Sequence, residues 1–250
     1  MANIERVKYG KNPLVEVIYQ LRFPTILSIN ANDPVRFQEE IRAVFPYYRK
    51  IVQENEIVVN EVKSSVTKEI NHEFVSADKK SKVNLTSSFI AISSLSYDQW
   101  EYYREKVKYI RKTFESIYHP SFYSRVGLRY KDVIDRTRFN LRDKGWVDLI
   151  QPSILGVINA SNQFTLKQWT VNSEYIYEGT DIATKQQLNL AHKVGDNLPV
   201  MVFDCDYFKI GNLRLDSIEE ISDQLHDKSS TFLRNAITEE LHRAMDPQAL

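Results

Sequence analysis

Asp204 and Asp206 are the residues whose type and spacing come closest to a reactive pair. Positions two apart on a strand project from one face, so the two carboxylates stand side by side within the strand-like run Phe203 to Phe208. Paired carboxylates can hold a hard cation such as Mg²⁺ or Ca²⁺, which makes a metal-dependent hydrolase one reading. No third acid stands at an evident spacing, and the plainer alternative is pairing with arginines on a neighbouring strand. Arg125 and Arg129 supply such arginines. They flank Gly127 on one face of a strand, where a glycine lets a ligand or side chain approach closely, and Arg22 is their counterpart in the first half of the chain. These arginines suit an anion site or an ion pair, for instance Arg129 with Asp204 or Glu16. His192, on a strand in the second half, is the best single candidate for acid–base work. Arg22, Arg125, Arg129, His192 and Asp204 therefore form the candidate polar wall of a small-molecule pocket between sheet and helices.

Other reactive chemistry has little support. The five histidines (His72, His119, His192, His226 and His242) show no zinc spacing, and neither HExxH nor CxxC occurs. The one cysteine, Cys205, alternates with Asp204 and Asp206, so it faces the apolar side and reads as structural. GxSxG, GxGxxG and GxxxxGK[ST] are all absent, and seven glycines in 250 residues suit no phosphate-cradling backbone. No cofactor is indicated, and the balance points away from an enzyme.

The elements that must position these residues follow from periodicity. Leu14 to Phe23 alternates as a strand, with Val15, Val17, Tyr19, Leu21 and Phe23 on one face. Asp33-Pro34 opens a helix with the stripe Phe37, Ile41 and Phe45. Strands are expected at Glu56 to Val62, Lys68 to Val75 and Val83 to Ile92, the last with a polar break at Thr86-Ser87-Ser88. A helix then carries Trp100, Tyr103, Val107, Ile110, Phe114 and Ile117 at alternating spacings of three and four. Ser96 and Gln99 form its expected capping box, and His119-Pro120 ends it. Its basic run, Arg104, Lys106, Lys108, Arg111 and Lys112, is expected on the solvated outer face.

The second half repeats this order. A strand from Phe122 to Asp135 comes first, then helical turns at Trp146 to Ile150 and Gln151 to Val157. Strands follow at Gln163 to Tyr177, Ile182 to Val194 and Val200 to Phe208. A capping signal at Asp216 and Glu219 opens a helix striped by Ile218, Ile221, Leu225, Phe232, Ala236, Leu241 and Ala244. Leu128-Arg129-Tyr130 matches Leu21-Arg22-Phe23 in type and parity. The expected fold is α+β: two similar β-α-β-β-β-α halves, residues 1–120 and 121–250, forming one integrated domain. Their strands would make a large curved antiparallel sheet packed on two long helices.

A net charge of zero argues against nucleic acid, which favours a basic footprint. No run approaches the length of a transmembrane helix, and the opening residues lack the apolar core of a signal peptide. A single cysteine fits a reducing compartment, so the expected location is cytoplasmic. Fourteen tyrosines and twelve phenylalanines in a neutral chain fit a half-polar cavity or a protein interface. Trp169, Tyr175 and Tyr177, in the hairpin from Gln163 to Val194, are the candidate partner surface, for a protein partner or a second copy of the chain.

Several of these features together carry a resemblance. They are an Asn-Pro before an alternating strand that ends in Arg-Phe, Tyr97 to Trp100 at a helix start, and the strand Gly127-Leu128-Arg129-Tyr130. Asp204-Cys205-Asp206 follows, then Leu225-His226, Phe232, Ile237-Thr238 and Met245-Asp246-Pro247. Over nearly its whole length the chain resembles a sporadically distributed family of bacterial proteins of about this size that has no assigned activity. Such a distribution implies mobile accessory genes, such as phage-defence or toxin–antitoxin loci. The leading expectation is a non-enzymatic recognition protein that binds a protein partner; the pocket and the metal-dependent hydrolase are the alternatives.

Overall fold

The computed structural model describes residues 7–59, 62–160, 168–193 and 198–249. A short strand β1 (Val7–Tyr9) precedes β2 (Leu14–Arg22), the helices α1 (Leu27–Ala31) and α2 (Val35–Ile41), and the strands β3 (Tyr47–Val59), β4 (Val62–Val75), β5 (Ser81–Leu85) and β6 (Phe89–Ser94). The helix α3 (Trp100–Tyr118) leads to β7 (Tyr123–Ile134), α4 (Trp146–Leu149) and α5 (Pro152–Leu155). The chain continues through β8 (Thr170–Ile176), β9 (Ile182–His192), β10 (Pro199–Leu213), α6 (Ile218–Ala236), α7 (Glu239–Ala244) and β11 (Pro247–Ala249). The fold is α+β. Among the described residues nine strands form one antiparallel sheet in the order β3-β4-β5-β6-β2-β7-β10-β9-β8, and β1 pairs with β11 apart from it.

The two strands predicted to open the two halves meet at the centre of the sheet. β2 pairs with β7 in a register that sets Tyr19 opposite Leu128, Gln20 opposite Gly127 and Leu21 opposite Val126. Shifting each residue by 107 positions turns the first of these pairs into the third.

Period-two alternation sorts the strand residues onto two unlike faces. On one face Val17, Tyr19, Leu21, Val126, Leu128 and Phe203 are fully buried. The helices cover this face. The Tyr19 hydroxyl meets Ser222 of α6 at 2.8 Å, Phe23 packs on Phe114 of α3, Phe74 packs on Phe37 of α2, and the His72 ring bonds the Ile29 carbonyl of α1. Leu149, Leu155 and Leu241 join the same hydrophobic core, which places α4, α5 and α7 in the helical layer. Among the described residues no helix covers the opposite face. None of the described helices is long and apolar enough to cross a membrane.

Several elements depart from expectation for local reasons. The strand expected from Val83 to Ile92 is the hairpin β5–β6, which turns at the polar break so that Leu85 faces Ile90. Thr86 Oγ1 accepts from the backbone N–H groups of Ser88 and Phe89 and stabilises that turn. α3 is capped by the Gln99 backbone with no side-chain cap, while Ser96 is tied to the Ser94 hydroxyl instead. Asp216 is held by Arg214, two residues away, and makes no cap either. The final stripe is split: α6 ends at Ala236, and α7 begins behind Thr238, whose hydroxyl accepts from the Leu241 N–H. His119 takes the left-handed conformation (φ 48°) before Pro120 and ends α3 where expected. Residues 60, 61, 163–167 and 194, expected in strands, lie outside the described residues.

Only part of the basic run of α3 lies on a solvated face: Lys112 is exposed, and the rest is not. Arg111 is 2% exposed; its guanidinium donates to Glu115 at 2.8 Å, to Glu219 of α6 at 2.8 Å and to the Leu215 carbonyl at 3.2 Å. Lys108 and Arg104 reach the same Glu219, and Arg104 also reaches Asp223. Three of the five, Arg104, Lys108 and Arg111, thus join α3 to α6. Pattern alone did not reveal this, because the acids come from a second helix more than a hundred residues away.

Candidate functional site

Four of the residues singled out for chemistry, Arg125, Arg129, Asp204 and Asp206, gather on the helix-free face, away from the space between sheet and helices. In the antiparallel register Asp206 lies opposite Arg129 and Asp204 opposite Lys131. The side chains pair diagonally. Arg129 donates to both oxygens of Asp204, Nε at 2.6 Å and a terminal nitrogen at 2.7 Å. Arg125 donates from one nitrogen to both oxygens of Asp206, at 2.9 and 2.7 Å. The two-nitrogen contact of Arg129 is the fork geometry in which a planar guanidinium matches a carboxylate. The bond to Asp204 raises the Arg129 pKa above its ordinary value. One strand further out, Lys185 of β9 lies 3.3 Å from Glu174 of β8. The centre of the face is therefore a ladder of opposite charges in which most members are matched.

Gly127 has a specific use here. A Cβ at that position would sit 2.0 Å from a terminal nitrogen of Arg125. The guanidinium lies across the glycine, stacks 4.6 Å from the centroid of the Phe208 ring and reaches Gln20 at 3.2 Å. Close approach at Gly127 was expected for a ligand or a side chain; its occupant is Arg125.

Beside this ladder the face dips into a shallow, open groove of about 530 Å³, lined by Arg129, Asn172, Ser173, Glu174, Lys185, Gln186, Gln187, Asp204 and Asp206. A smaller hollow of about 70 Å³, lined by Glu16, Ile18, Arg129, Lys131 and Asp204, adjoins it through Arg129 and Asp204. Of the five residues expected to line a pocket, Arg129 and Asp204 line the groove, and Arg125 stands beside it on Asp206. Arg22 is exposed and bonded to Gln20 at 3.2 Å. His192 is exposed at the end of β9, opposite Pro199, and joins none of them. Asn172 and Gln187, which line the groove, were not foreseen: amides on an alternating strand read simply as solvent-facing.

The expected partner surface divides. Trp169 is 8% exposed and belongs to the core, so it offers no contact surface. Tyr175 is 38% exposed and packs edge-on against Tyr177, over which the Lys228 ammonium lies at 4.8 Å. Ile176, beside them, is 68% exposed.

Two reactive groups lie beneath the sheet. Cys205 is buried, and burial pushes its thiol well above the ordinary range, so it is no thiolate nucleophile. Asp132 of β7 faces the core between Leu14 and Phe203 in register, is 8% exposed, and has no hydrogen-bond partner among the described residues. Burial, with a smaller contribution from Asp204, raises its carboxyl to about 7. Among the described residues no three His, Cys, Asp or Glu side chains converge on a point where a cation would sit; Asp204 and Asp206 spend their oxygens on Arg129 and Arg125. No protein-family model matches the chain, and no curated protein matches it.

Proposed function

We propose that this chain is a non-enzymatic recognition protein that binds a protein partner on the helix-free face of its nine-stranded sheet. The observation that carries this reading is the one-sided layering, which leaves a sheet face about 38 Å wide, across eight inter-strand gaps, uncovered among the described residues. The chemistry of that face favours a protein over other classes. Its charges are largely matched in pairs, Arg129 with Asp204, Arg125 with Asp206 and Lys185 with Glu174, so it offers little net field to a phosphate backbone. Its groove is shallow, whereas small-molecule sites enclose most of their ligand. A broad polar surface with fixed, alternating charges suits electrostatic matching to a second protein surface.

The same reading takes the two halves as copies of one unit, because the shift of 107 positions that aligns Leu21-Arg22-Phe23 with Leu128-Arg129-Tyr130 also relates the paired residues of β2 and β7. With the resemblance to a sporadically distributed bacterial family, it places the partner's gene beside this one, in a cytoplasmic defence or toxin–antitoxin locus. The test is site-specific photocrosslinking in cells that carry the neighbouring genes. A photoreactive residue at Gln187 or Lys131, on the open face, should give one discrete crosslinked protein. The same residue at Tyr102, exposed on the back of α3, should give none. Crosslinking from Tyr102 alone, or from no position, would defeat the proposal.

A further inference from the structure

The two edges of the sheet are unlike. The outer strand β3 carries Arg49 and Lys50 and has a register shift between Ile57 and Val58. Charged side chains and irregular pairing are the devices by which edge strands avoid adding a neighbour. At the other edge β8 carries a single charge, Glu174, which Lys185 of β9 meets at 3.3 Å, and its pairing is regular. It pairs with β9 without a register shift from Thr170 to Ile176, contains no Pro, Lys or Arg, and among the described residues has no strand on its outer side. Thr170, Asn172, Glu174, Tyr175 and Ile176 are all exposed.

We propose that β8 is a dimerisation edge that pairs antiparallel with β8 of a second copy, on a two-fold axis through Ser173. The sequence of β8 is complementary to itself in that register. A two-fold axis normal to the sheet keeps each residue on its own face, so only registers centred on a residue are allowed. Centring on Ser173 pairs the whole strand, Thr170 with Ile176 and Val171 with Tyr175. On the core-side face the β-branched Val171 meets the aromatic Tyr175, a favourable cross-strand pair. On the other face Thr170 meets Ile176, and the Glu174 carboxylate meets the Asn172 amide. Each Glu174 is also neutralised within its own subunit by Lys185 at 3.3 Å. Moving the axis by one residue to Glu174 would set carboxylate against carboxylate, and moving it to Asn172 would leave Tyr175 and Ile176 beyond the strand that faces them. The product is one continuous sheet of eighteen strands, twice nine. This inference stands apart from the partner assigned to the open face, which stays accessible in the dimer.

The test combines solution mass with crosslinking. Light scattering of the purified full chain at micromolar concentration should give about 59 kDa, twice 29.3 kDa. Residues facing each other across an antiparallel pair have Cα atoms roughly 5 Å apart, within disulfide reach. Ser173→Cys should therefore form an intermolecular disulfide on mild oxidation. Thr170→Cys should not, because its own copy lies roughly 20 Å away along the strand. Asn172→Glu, an exposed change that sets carboxylate against carboxylate twice per dimer, should weaken association about tenfold. A monomer of 29.3 kDa would overturn the proposal. So would a dimer that Asn172→Glu leaves unchanged, or one in which Thr170→Cys crosslinks as readily as Ser173→Cys.

Discussion

Replacing Asp132 with asparagine is expected to stabilise the protein, and to do so more strongly as the pH rises. The carboxyl is buried with no hydrogen-bond partner among the described residues, and its folded pKa of about 7 lies above the ordinary 3.8. The sign follows from proton binding. Below pH 3.8 both states hold the proton; between 3.8 and about 7 only the folded state does, so each rise in pH favours unfolding; above about 7 the penalty is constant. About three pKa units at 1.36 kcal/mol each make the full penalty roughly 4 kcal/mol. Integrating the two titrations gives roughly 2 kcal/mol at about pH 5 and roughly 4 kcal/mol at about pH 8. Asparagine is nearly isosteric and carries no charge, so it escapes this penalty at every pH. Urea unfolding of both proteins at the two pH values reads the difference directly, since all other titrating groups cancel. The advantage of Asp132→Asn should widen by 2–3 kcal/mol from about pH 5 to about pH 8. An advantage independent of pH, or an asparagine variant that is the less stable at about pH 8, would refute the assignment of a proton to this buried carboxyl.

Three further outcomes follow from the geometry. Gly127→Ala should cost about 1 kcal/mol by driving the Arg125 guanidinium off Asp206, and should cost almost nothing in an Arg125→Ala background where the obstructing group is gone; denaturation of the double-mutant cycle measures both. Arg111→Ala should destabilise by about 2–3 kcal/mol, because it removes a buried guanidinium that joins α3 to α6 and leaves the largely buried Glu115 with only Lys112 and the Tyr123 hydroxyl; thermal or urea unfolding checks it. Cys205 should resist an aromatic disulfide reagent in the native protein at neutral pH and react fully once the chain is unfolded, a spectrophotometric measurement that a fast native reaction would contradict.

Much of the fold was legible because it rests on short-range patterns. Alternation in Leu14 to Phe23 and in Phe122 to Asp135 placed β2 and β7, and the stripe from Trp100 to Ile117 placed α3 almost residue for residue. Helix starts were misread where a nearer partner stood in the way: the Ser96 backbone is tied to the Ser94 hydroxyl, and the Asp216 side chain turns to Arg214. The break between α6 and α7 was hidden because Leu241 and Ala244 continue the apolar stripe across it. The ion pair of Arg129 with Asp204 was readable, since both lie on polar strand faces and each needs an opposite charge. Arg125 over Gly127 was half readable: the glycine announced a close approach and not what approaches. The side of the sheet that these residues occupy was not readable, because a polar strand face looks alike in sequence whether it lines a pocket or meets solvent. The groove residues Asn172 and Gln187 were missed for the same reason.

The most direct measurement of the central claim is native mass spectrometry of the chain purified from its own host, as wild type and as a Lys131→Glu, Gln187→Arg variant of the open face. Wild type is expected to carry the mass of a second, different protein beyond that of one or two copies of the chain, and the variant is expected to lose it while keeping its fold. A wild-type chain that carries nothing, or only a few hundred daltons, would contradict protein recognition, and a partner retained by the variant would contradict its assignment to the helix-free face.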